Sequence, residues 1–79
     1  MHSGDNMYRL RIRDLREDRD LKQKDLAKIL GIHQTTYSEY ELGKINIPVP
    51  VLHQLADFYG VSVDYLLGRT IIKEPYAKE

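Results

Sequence analysis

The stretch DLAKILGIHQTTYSEYELGK, residues 25–44, contains two apolar patterns of helical spacing that are separated by a single glycine. The first pattern predicts a helix that ends at Gly31, because a residue without Cβ is the usual left-handed stop after a helix. The second predicts a further helix that ends at Gly43. The apolar residues of the two patterns are Leu26, Ala27, Leu30, Ile32, Tyr37 and Tyr40. The sequence thus predicts two short helices joined by a tight turn.

The joint between these two helices favours a steep crossing. If the first of them starts at Gln23, then Gly31 permits a positive φ at the turn, and Ala27 is small where the second helix passes closest. This is the spacing of a helix-turn-helix, in which the second helix projects from the domain with one face free to enter a major groove. That face carries Gln34, Thr35, Ser38 and Glu39.

Two longer apolar patterns flank this pair of helices. The one before it predicts an amphipathic first helix that ends near Arg19 and Asp20. The one after it predicts a fourth helix that is closed by Gly60, and Pro48 and Pro50 indicate a loop leading into it. The apolar residues of these two helices are Tyr8, Ile12, Leu15, Val49, Leu52, Leu55, Ala56 and Tyr59.

A short fifth helix is predicted over the sequence VDYLL. Ser62 caps its start, Asp64 lies favourably in its first turn, and Gly68 ends it. No alternating run is long enough to predict a strand. The expected architecture is therefore an all-α bundle of five short helices.

Four motifs occur in order along residues 8–68. They are LRE in the first helix, QxxLAxxLGI in the second, QTTYSxYExGK in the third and LAxxxGVSxDYLLG at the end. Together they resemble the helix-turn-helix domains of the phage repressor and Cro type, the XRE-like transcriptional regulators. The resemblance implies a five-helix, lambda-repressor-like domain that binds operator DNA, usually as a symmetric dimer on half-sites about one helical turn apart. We expect residues 1–7 to be a disordered N-terminus and residues 69–79 a C-terminal tail.

The resemblance also implies roles for individual residues. Gln34 matches a base-reading glutamine, whose amide can pair with adenine N6 and N7. Arg16 and Glu41 match a structural ion pair between the first and third helices. The expected base contacts are Gln34, Thr35, Ser38, Glu39 and His33. The expected phosphate contacts are Gln23, Lys22, Lys24, Lys44 and Asn46.

Three positions depart from the pattern of this family, which commonly has Gly at position 20 and Ser or Thr at positions 22 and 33. Asp20 can still end the first helix, because aspartate tolerates left-handed angles better than most residues. Lys22 and His33 are poor caps, and the loss of a good cap costs about 0.5–2 kcal/mol. The loop residues 45–47 carry no charge, which predicts weaker and less salt-dependent DNA binding.

Composition bounds the other classes of function. The chain has 79 residues, no cysteine and a formal net charge of zero, so we expect one small domain, and composition gives no sign of nucleic-acid binding. It has neither an apolar run long enough for a membrane span nor the pattern of a signal peptide, which predicts a cytoplasmic protein. No nucleophile stands at a plausible spacing from a base, so no enzyme activity and no cofactor are expected.

Several conspicuous side chains have structural interpretations. The histidines at positions 2, 33 and 53 lack metal-site spacing, so no metal is expected. The tyrosines at positions 37, 40 and 59 are expected in the core with their hydroxyls at its rim. The arginines at positions 9, 11, 13, 16 and 19 alternate with acidic residues, which predicts mainly a salt-bridged, solvated helix face.

The favoured interpretation is a sequence-specific, double-stranded DNA-binding transcriptional repressor that inserts the helix of residues 33–42 into the major groove. One alternative is an antitoxin-like or partner-binding module, suggested by the neutral charge and the apolar tail. Another is a monomer that binds DNA weakly until a protein partner supplies the second half-site. We expect a homodimer through the fifth helix and the tail, because Leu66, Leu67, Ile71 and Ile72 exceed what so small a core can bury.

Overall fold

Five helices make up most of the chain that the computed structural model describes, residues 10–74. In chain order they are α1 (Ile12–Asp18), α2 (Gln23–Leu30), α3 (Gln34–Leu42), α4 (Val49–Tyr59) and α5 (Val63–Leu66). No strand occurs among these residues, and the predicted all-α, five-helix class is confirmed. None of the described helices has the length and apolar character needed to cross a membrane. Residues 1–9, which include Tyr8 and Arg9, and residues 75–79 lie outside the described part.

One cluster of apolar side chains, drawn from all five helices, forms the core. Ile12, Leu26, Tyr37, Leu55 and Leu66 come one from each helix and are fully enclosed. The other buried apolar residues are Ala27, Leu30, Tyr40, Ala56, Tyr59 and Val61. The periodicity of the sequence therefore identifies most of the core.

Two expectations about apolar residues are wrong. Val49 was expected on the packed face of α4, yet its side chain is 63% exposed, because it is the first residue of the helix and the enclosed positions begin at Leu55. Leu66 was expected on a dimer surface, yet it is fully enclosed and holds α5 against the core. Ile71 and Ile72, by contrast, are largely exposed in the tail.

The ends of α1, α2 and α3 agree with what was predicted from the three departures from the family pattern. Asp20 follows α1 in the left-handed region, with φ of 57°. Neither Lys22 nor His33 caps its helix with a side-chain hydrogen bond. At α2 the carboxylate of Asp25 takes over part of this function, because Oδ2 accepts a hydrogen bond of 2.8 Å from the backbone amide of Lys22. The start of α3 has no such substitute among the described hydrogen bonds.

Of the four described arginines of the α1 region, Arg13 and Arg19 are exposed while Arg11 and Arg16 are half-buried, so the solvated face that alternation with acids predicts is only partly present. Arg11 stacks over the ring of Tyr65 at 4.1 Å, and its Nη1 donates to the carbonyls of Tyr65 and Thr70, both at 2.7 Å. Arg19 donates to two carbonyls at the C-terminal end of α4, each at 3.3 Å, where the helix dipole favours a cation. Arg13 keeps the expected exposed pair, with Glu17 at 3.1 Å.

The start of the tail is also bound to the domain. Ser62 Oγ caps α5 by accepting from the amide of Tyr65 at 3.0 Å, as predicted. The backbone amide of Ser62 donates to the carbonyl of Lys73 at 2.8 Å. Together with the Arg11 bond to Thr70, this contact fixes the backbone of residues 70–73 along α5 and α1.

The core tyrosines lie deeper than expected. Tyr37, Tyr40 and Tyr59 are buried, which confirms their place in the core. The hydroxyls of Tyr37 and Tyr59 are enclosed, so the expectation that they lie at the rim is wrong for these two. Burial raises the pKa of Tyr59 to about 12. Burial also raises the pKa of Tyr37, so both hydroxyls stay protonated at neutral pH.

Candidate nucleic-acid interface

The joint between α2 and α3 determines how α3 is presented. Gly31 has a left-handed φ of 71°, and its amide donates to the carbonyl of Lys28 at 3.2 Å. The next amide, that of Ile32, donates to the carbonyl of Ala27 at 3.0 Å. A Cβ added at Gly31 would meet nothing within 4 Å, so the backbone angle and not the available space favours glycine here.

The inner side of α3 is occupied by two tyrosines. Tyr37 and Tyr40 are buried and meet edge to face, with ring centroids 6.5 Å apart and ring planes at 80°. The helix ends where Gly43 adopts a φ of 73°. These two aromatic side chains bind α3 to the core along one side, and the remaining side chains of the helix are left for the surface.

All five expected base contacts lie on that outer surface. His33, Gln34 and Thr35 are exposed, and Ser38 and Glu39 are partly exposed. The structure brings Gln34, Thr35 and Ser38 together with Gln23 of α2 around one open depression. His33 is the N-cap residue of α3, so the helix itself begins one residue later than predicted.

A network of charged and amide groups lies behind this depression. Arg16 Nε donates to Glu41 Oε2 at 2.6 Å, and Arg16 Nη2 donates to Glu41 Oε1 at 3.2 Å. The ion pair implied by the family resemblance is thus present, and it links α1 to α3. Gln23 Nε2 donates to the same Glu41 Oε1 at 3.0 Å. Arg16 Nη1 also donates to the carbonyl of Leu21 at 2.8 Å.

The network is shielded from solvent. The side chains of Arg16 and Glu41 are 12% and 4% exposed. Burial by itself would raise the pKa of the Glu41 carboxyl, but hydrogen bonds from Arg16 and Gln23 hold it below its ordinary value. The hydrogen bond to Glu41 raises the pKa of Arg16 further above its ordinary value. Both groups are therefore charged at neutral pH.

Gln23 has a second role that the sequence did not reveal. Its position at the start of α2 indicated a phosphate contact, but its side-chain nitrogen is bound to Glu41. The amide of Asp25 donates to the carbonyl of Lys22 at 2.9 Å, whereas the amides of Gln23 and Lys24 have no backbone acceptor among the described hydrogen bonds and remain available to an anion. Gln23 was predicted to contact phosphate only because of its position at the start of the second helix. That position does not reveal the hydrogen bond from its side chain to Glu41 on another helix.

Three exposed lysines lie close in sequence to the residues that line the depression. Lys22 and Lys24 stand on either side of Gln23 at the start of α2. Lys44 follows α3, and its backbone amide donates to the carbonyl of Glu39 at 3.0 Å. Asn46 is exposed too, but it lines an apolar groove beside the loop between α3 and α4 and not the depression of Gln34.

The described part of the chain has no candidate metal site. Among residues 10–74 no group of three or more His, Cys, Asp or Glu side chains is arranged to hold a metal ion. His33 and His53 are exposed on separate elements. His2 lies outside the described residues.

The packing of α2 against α3 across the left-handed Gly31, with the exposed polar face of α3, defines a helix-turn-helix protein. The family model for helix-turn-helix domains matches residues 12–66, and the chain belongs to this XRE-type family of transcriptional regulators. The match covers all five helices from Ile12 to Leu66.

Individual relatives carry the same description. The chain is 39% identical over 62 residues to the cryptic phage CTXphi transcriptional repressor RstR of Vibrio cholerae, covering 78% of this chain and 56% of that protein. It is 41% identical over 69 residues to the uncharacterized HTH-type transcriptional regulator YobD of Bacillus subtilis, covering 87% of this chain and 62% of the relative. A prophage-derived HTH-type regulator of Bacillus subtilis, YonR, is 34% identical over 64 residues.

The chain therefore spans between 56% and 62% of the length of the first two relatives. The names of all three describe transcriptional regulators and not enzymes or antitoxins. The similarity supports the regulator interpretation over the antitoxin-like alternative.

Proposed function

We propose that the chain binds double-stranded DNA in a sequence-specific manner, with α3 in the major groove, and that it represses transcription. The observation that carries this proposal is the division of α3 into two sides. Tyr37 and Tyr40 pack inward, while Gln34, Thr35 and Ser38 are left on the surface next to Gln23. A short helix with one such polar face fits the width of a major groove.

Each group on this surface suits a different part of the duplex. The amide of Gln34 can pair with adenine N6 and N7, and the hydroxyls of Thr35 and Ser38 can bond either base edges or phosphates. Glu39 can accept from cytosine N4, and His33 stands where the helix would enter the groove. The amides at the start of α2 and the cations of Lys22, Lys24 and Lys44 suit phosphate oxygens.

The net charge of zero gives DNA binding no overall electrostatic support, so the proposal depends on which cations stand at the interface. Arg11, Arg16 and Arg19 donate to carbonyl oxygens or to a carboxylate of the domain itself. The lysines of the proposed interface are exposed. We expect few phosphates to be neutralised, and hence a salt dependence lower than that of a strongly basic regulator.

Repression and dimeric binding extend the proposal. The phage relative RstR is a transcriptional repressor by name, which supports a repressor over an activator. A repressor acts by occupying its operator, and a helix-turn-helix reads an operator best as a two-fold dimer on two half-sites. The proposed function therefore includes a homodimer.

Selection of bound duplexes from a random pool tests the proposal in one experiment. We expect the enriched sequences to share a short motif repeated with two-fold symmetry, at a spacing of about 10 bp between half-site centres. A titration of the selected duplex against a scrambled duplex of the same composition follows at moderate salt. Equal affinity for the two duplexes would overturn sequence-specific binding.

A further inference from the structure

The core contains two tyrosine hydroxyls that make no hydrogen bond to any described residue. Tyr37 of α3 is 0% exposed and Tyr59 of α4 is 5% exposed, and the Oη atoms of both are enclosed. Moving a hydroxyl out of water is unfavourable unless another hydrogen bond replaces the one that is lost. Buried hydroxyls in proteins are therefore almost always bonded, and each of these two requires a partner.

Both hydroxyls lie within electrostatic reach of the Glu41 carboxylate. Burial is the main cause that raises the pKa of each tyrosine, and the negative charge of Glu41 raises both further. Tyr59 also raises the pKa of Tyr37. The two hydroxyls and the carboxylate therefore form one polar cluster in the interior.

The carboxylate of Glu41 has too few open positions for two further donors. A carboxylate accepts about four hydrogen bonds, shared between its two oxygens. Oε1 already accepts from Arg16 Nη2 at 3.2 Å and from Gln23 Nε2 at 3.0 Å. Oε2 accepts from Arg16 Nε at 2.6 Å, which leaves one open position on Oε2. If one hydroxyl used that position directly, the other would stay without a partner.

We propose that one water molecule is bound in the core between Tyr37 Oη, Tyr59 Oη and Glu41 Oε2. It accepts a hydrogen bond from each hydroxyl and donates one to the open position on the carboxylate. A buried water makes about three hydrogen bonds as a rule, and this site supplies that number. The inference goes beyond the proposed function and does not depend on it, because it concerns the interior of the domain.

The charges of the cluster favour a neutral occupant. The side chains of Arg16 and Glu41 are 12% and 4% exposed, so solvent ions screen their charges little. A cation in the cluster would be repelled by Arg16, and an anion would be repelled by Glu41. The occupant has to accept from two hydroxyls and also donate to a carboxylate. A single water molecule does both with its two lone pairs and its two protons.

The water connects α4 to the network that holds α3. Arg16 of α1 and Gln23 of α2 donate directly to Glu41 of α3. Tyr59 belongs to α4 and reaches the same carboxylate through the water. Four helices then meet at one buried carboxylate, so the water contributes to the orientation of α3.

Oxygen-17 relaxation dispersion of the solvent tests the inference, because it detects long-lived water molecules and not the protons of hydroxyl groups. We expect the parent chain to show the contribution of an internal water. A double variant, Tyr37→Phe with Tyr59→Phe, removes both hydroxyls and keeps both rings. Its contribution should fall by about one water per chain, because a single carboxylate oxygen is too few partners to hold a buried water.

Tyr40→Phe is the matched control, because it removes the hydroxyl of a third core tyrosine that is not one of the enclosed pair. Its water contribution should equal that of the parent. Circular dichroism and thermal unfolding verify that every variant is folded. A parent without a long-lived water, or a double variant that keeps the whole contribution of the parent, would overturn the inference.

A crystal structure of the parent at high resolution gives a second measurement that needs no variant. We expect a water oxygen within about 2.5–3.0 Å of Tyr37 Oη, Tyr59 Oη and Glu41 Oε2. The opposite result is a hydroxyl at that distance from Oε2 itself, with no water beside the other hydroxyl. It would show that the carboxylate binds one tyrosine directly and that the proposed water site does not exist.

Discussion

Arg16 Nε of α1 lies 2.6 Å from Glu41 Oε2 of α3, and the pair is almost completely shielded from solvent. Gln23 of α2 donates to the other oxygen of the same carboxylate and also borders the depression formed with Gln34 and Ser38. One carboxylate thus holds three helices in a fixed relation. The position of the proposed DNA-reading residues depends on this buried contact, although none of its charges faces the solvent.

The first prediction concerns the free energy of unfolding. Arg16→Ala should lower it by about 3–5 kcal/mol, because it leaves the buried Glu41 carboxylate without its cation. Urea unfolding followed by circular dichroism measures the loss. Arg13→Ala is the matched control, because its pair with Glu17 is 66% and 52% exposed, and exposed pairs contribute about 0–1 kcal/mol. Equal losses in the two variants would contradict the role of burial.

The second prediction concerns pH. The pKa of Glu41 is lower in the folded chain than its ordinary value of 4.5, so the unfolded chain takes up the proton more readily. The pair therefore stabilises the fold fully above that ordinary pKa, and the contribution is lost as pH falls through the lowered folded-state pKa. We expect the free energy of unfolding of the parent to fall more steeply between pH 5 and pH 3 than that of Glu41→Gln, a window of roughly the ordinary carboxyl range.

Urea titrations across this pH range measure the difference. Asp18→Asn serves as the control, because it removes an exposed carboxylate from the same helix as Arg16, whereas Glu17 itself lies 4.0 Å from Arg16. Parallel pH profiles for the parent and Glu41→Gln would contradict the prediction.

Periodicity was sufficient to predict the helices and most of the core. The positions of Leu26, Tyr37 and Leu55 follow from helical spacing alone, because each element has to bury one face of its own. The same spacing misplaced Val49, since a pattern does not reveal where along a helix the core begins. Leu66 was misplaced for another reason, since the number of apolar residues in the fifth helix and the tail does not indicate which of them turns inward.

Contacts between distant residues were harder to predict. Arg11 donates to carbonyls 54 and 59 residues away, and a backbone carbonyl leaves no mark in the sequence that could identify it as an acceptor. The Arg16 and Glu41 pair was accessible only through the family resemblance. The residues proposed to read DNA were identified because they lie on the face of the third helix that carries no apolar pattern. Their exposure is confirmed, and their contacts with DNA stay a prediction.

The third prediction concerns the unfilled cap of α3. His33 has φ of −70° and ψ of 146°, close to the −79° and 157° of Ser62, whose hydroxyl caps α5. His33→Ser should therefore form the missing hydrogen bond and raise the free energy of unfolding by about 0.5–1 kcal/mol. Thermal and urea unfolding without DNA measure the gain.

Ser62→Ala is the reciprocal control and should lose a similar amount, since it removes the cap that His33→Ser would add. The prediction fails if His33→Ser is no more stable than the parent while Ser62→Ala is destabilised. That result would mean that the first turn of α3 is satisfied by solvent as well as by a hydroxyl.

The last prediction separates base reading from phosphate binding. Gln34→Ala should weaken binding to the selected operator by about 1–3 kcal/mol and relax the preference at one position of each half-site. Lys44→Ala should weaken binding to operator and scrambled duplex alike and reduce the slope of log K against log salt by about 0.9. Fluorescence titrations at several salt concentrations give both quantities.

Gln54→Ala and Lys73→Ala remove the same functional groups from exposed positions on α4 and in the tail, and should change neither quantity. If Gln34→Ala weakened both duplexes equally, α3 would bind the backbone without reading bases, and the depression around Gln34 would be a phosphate site.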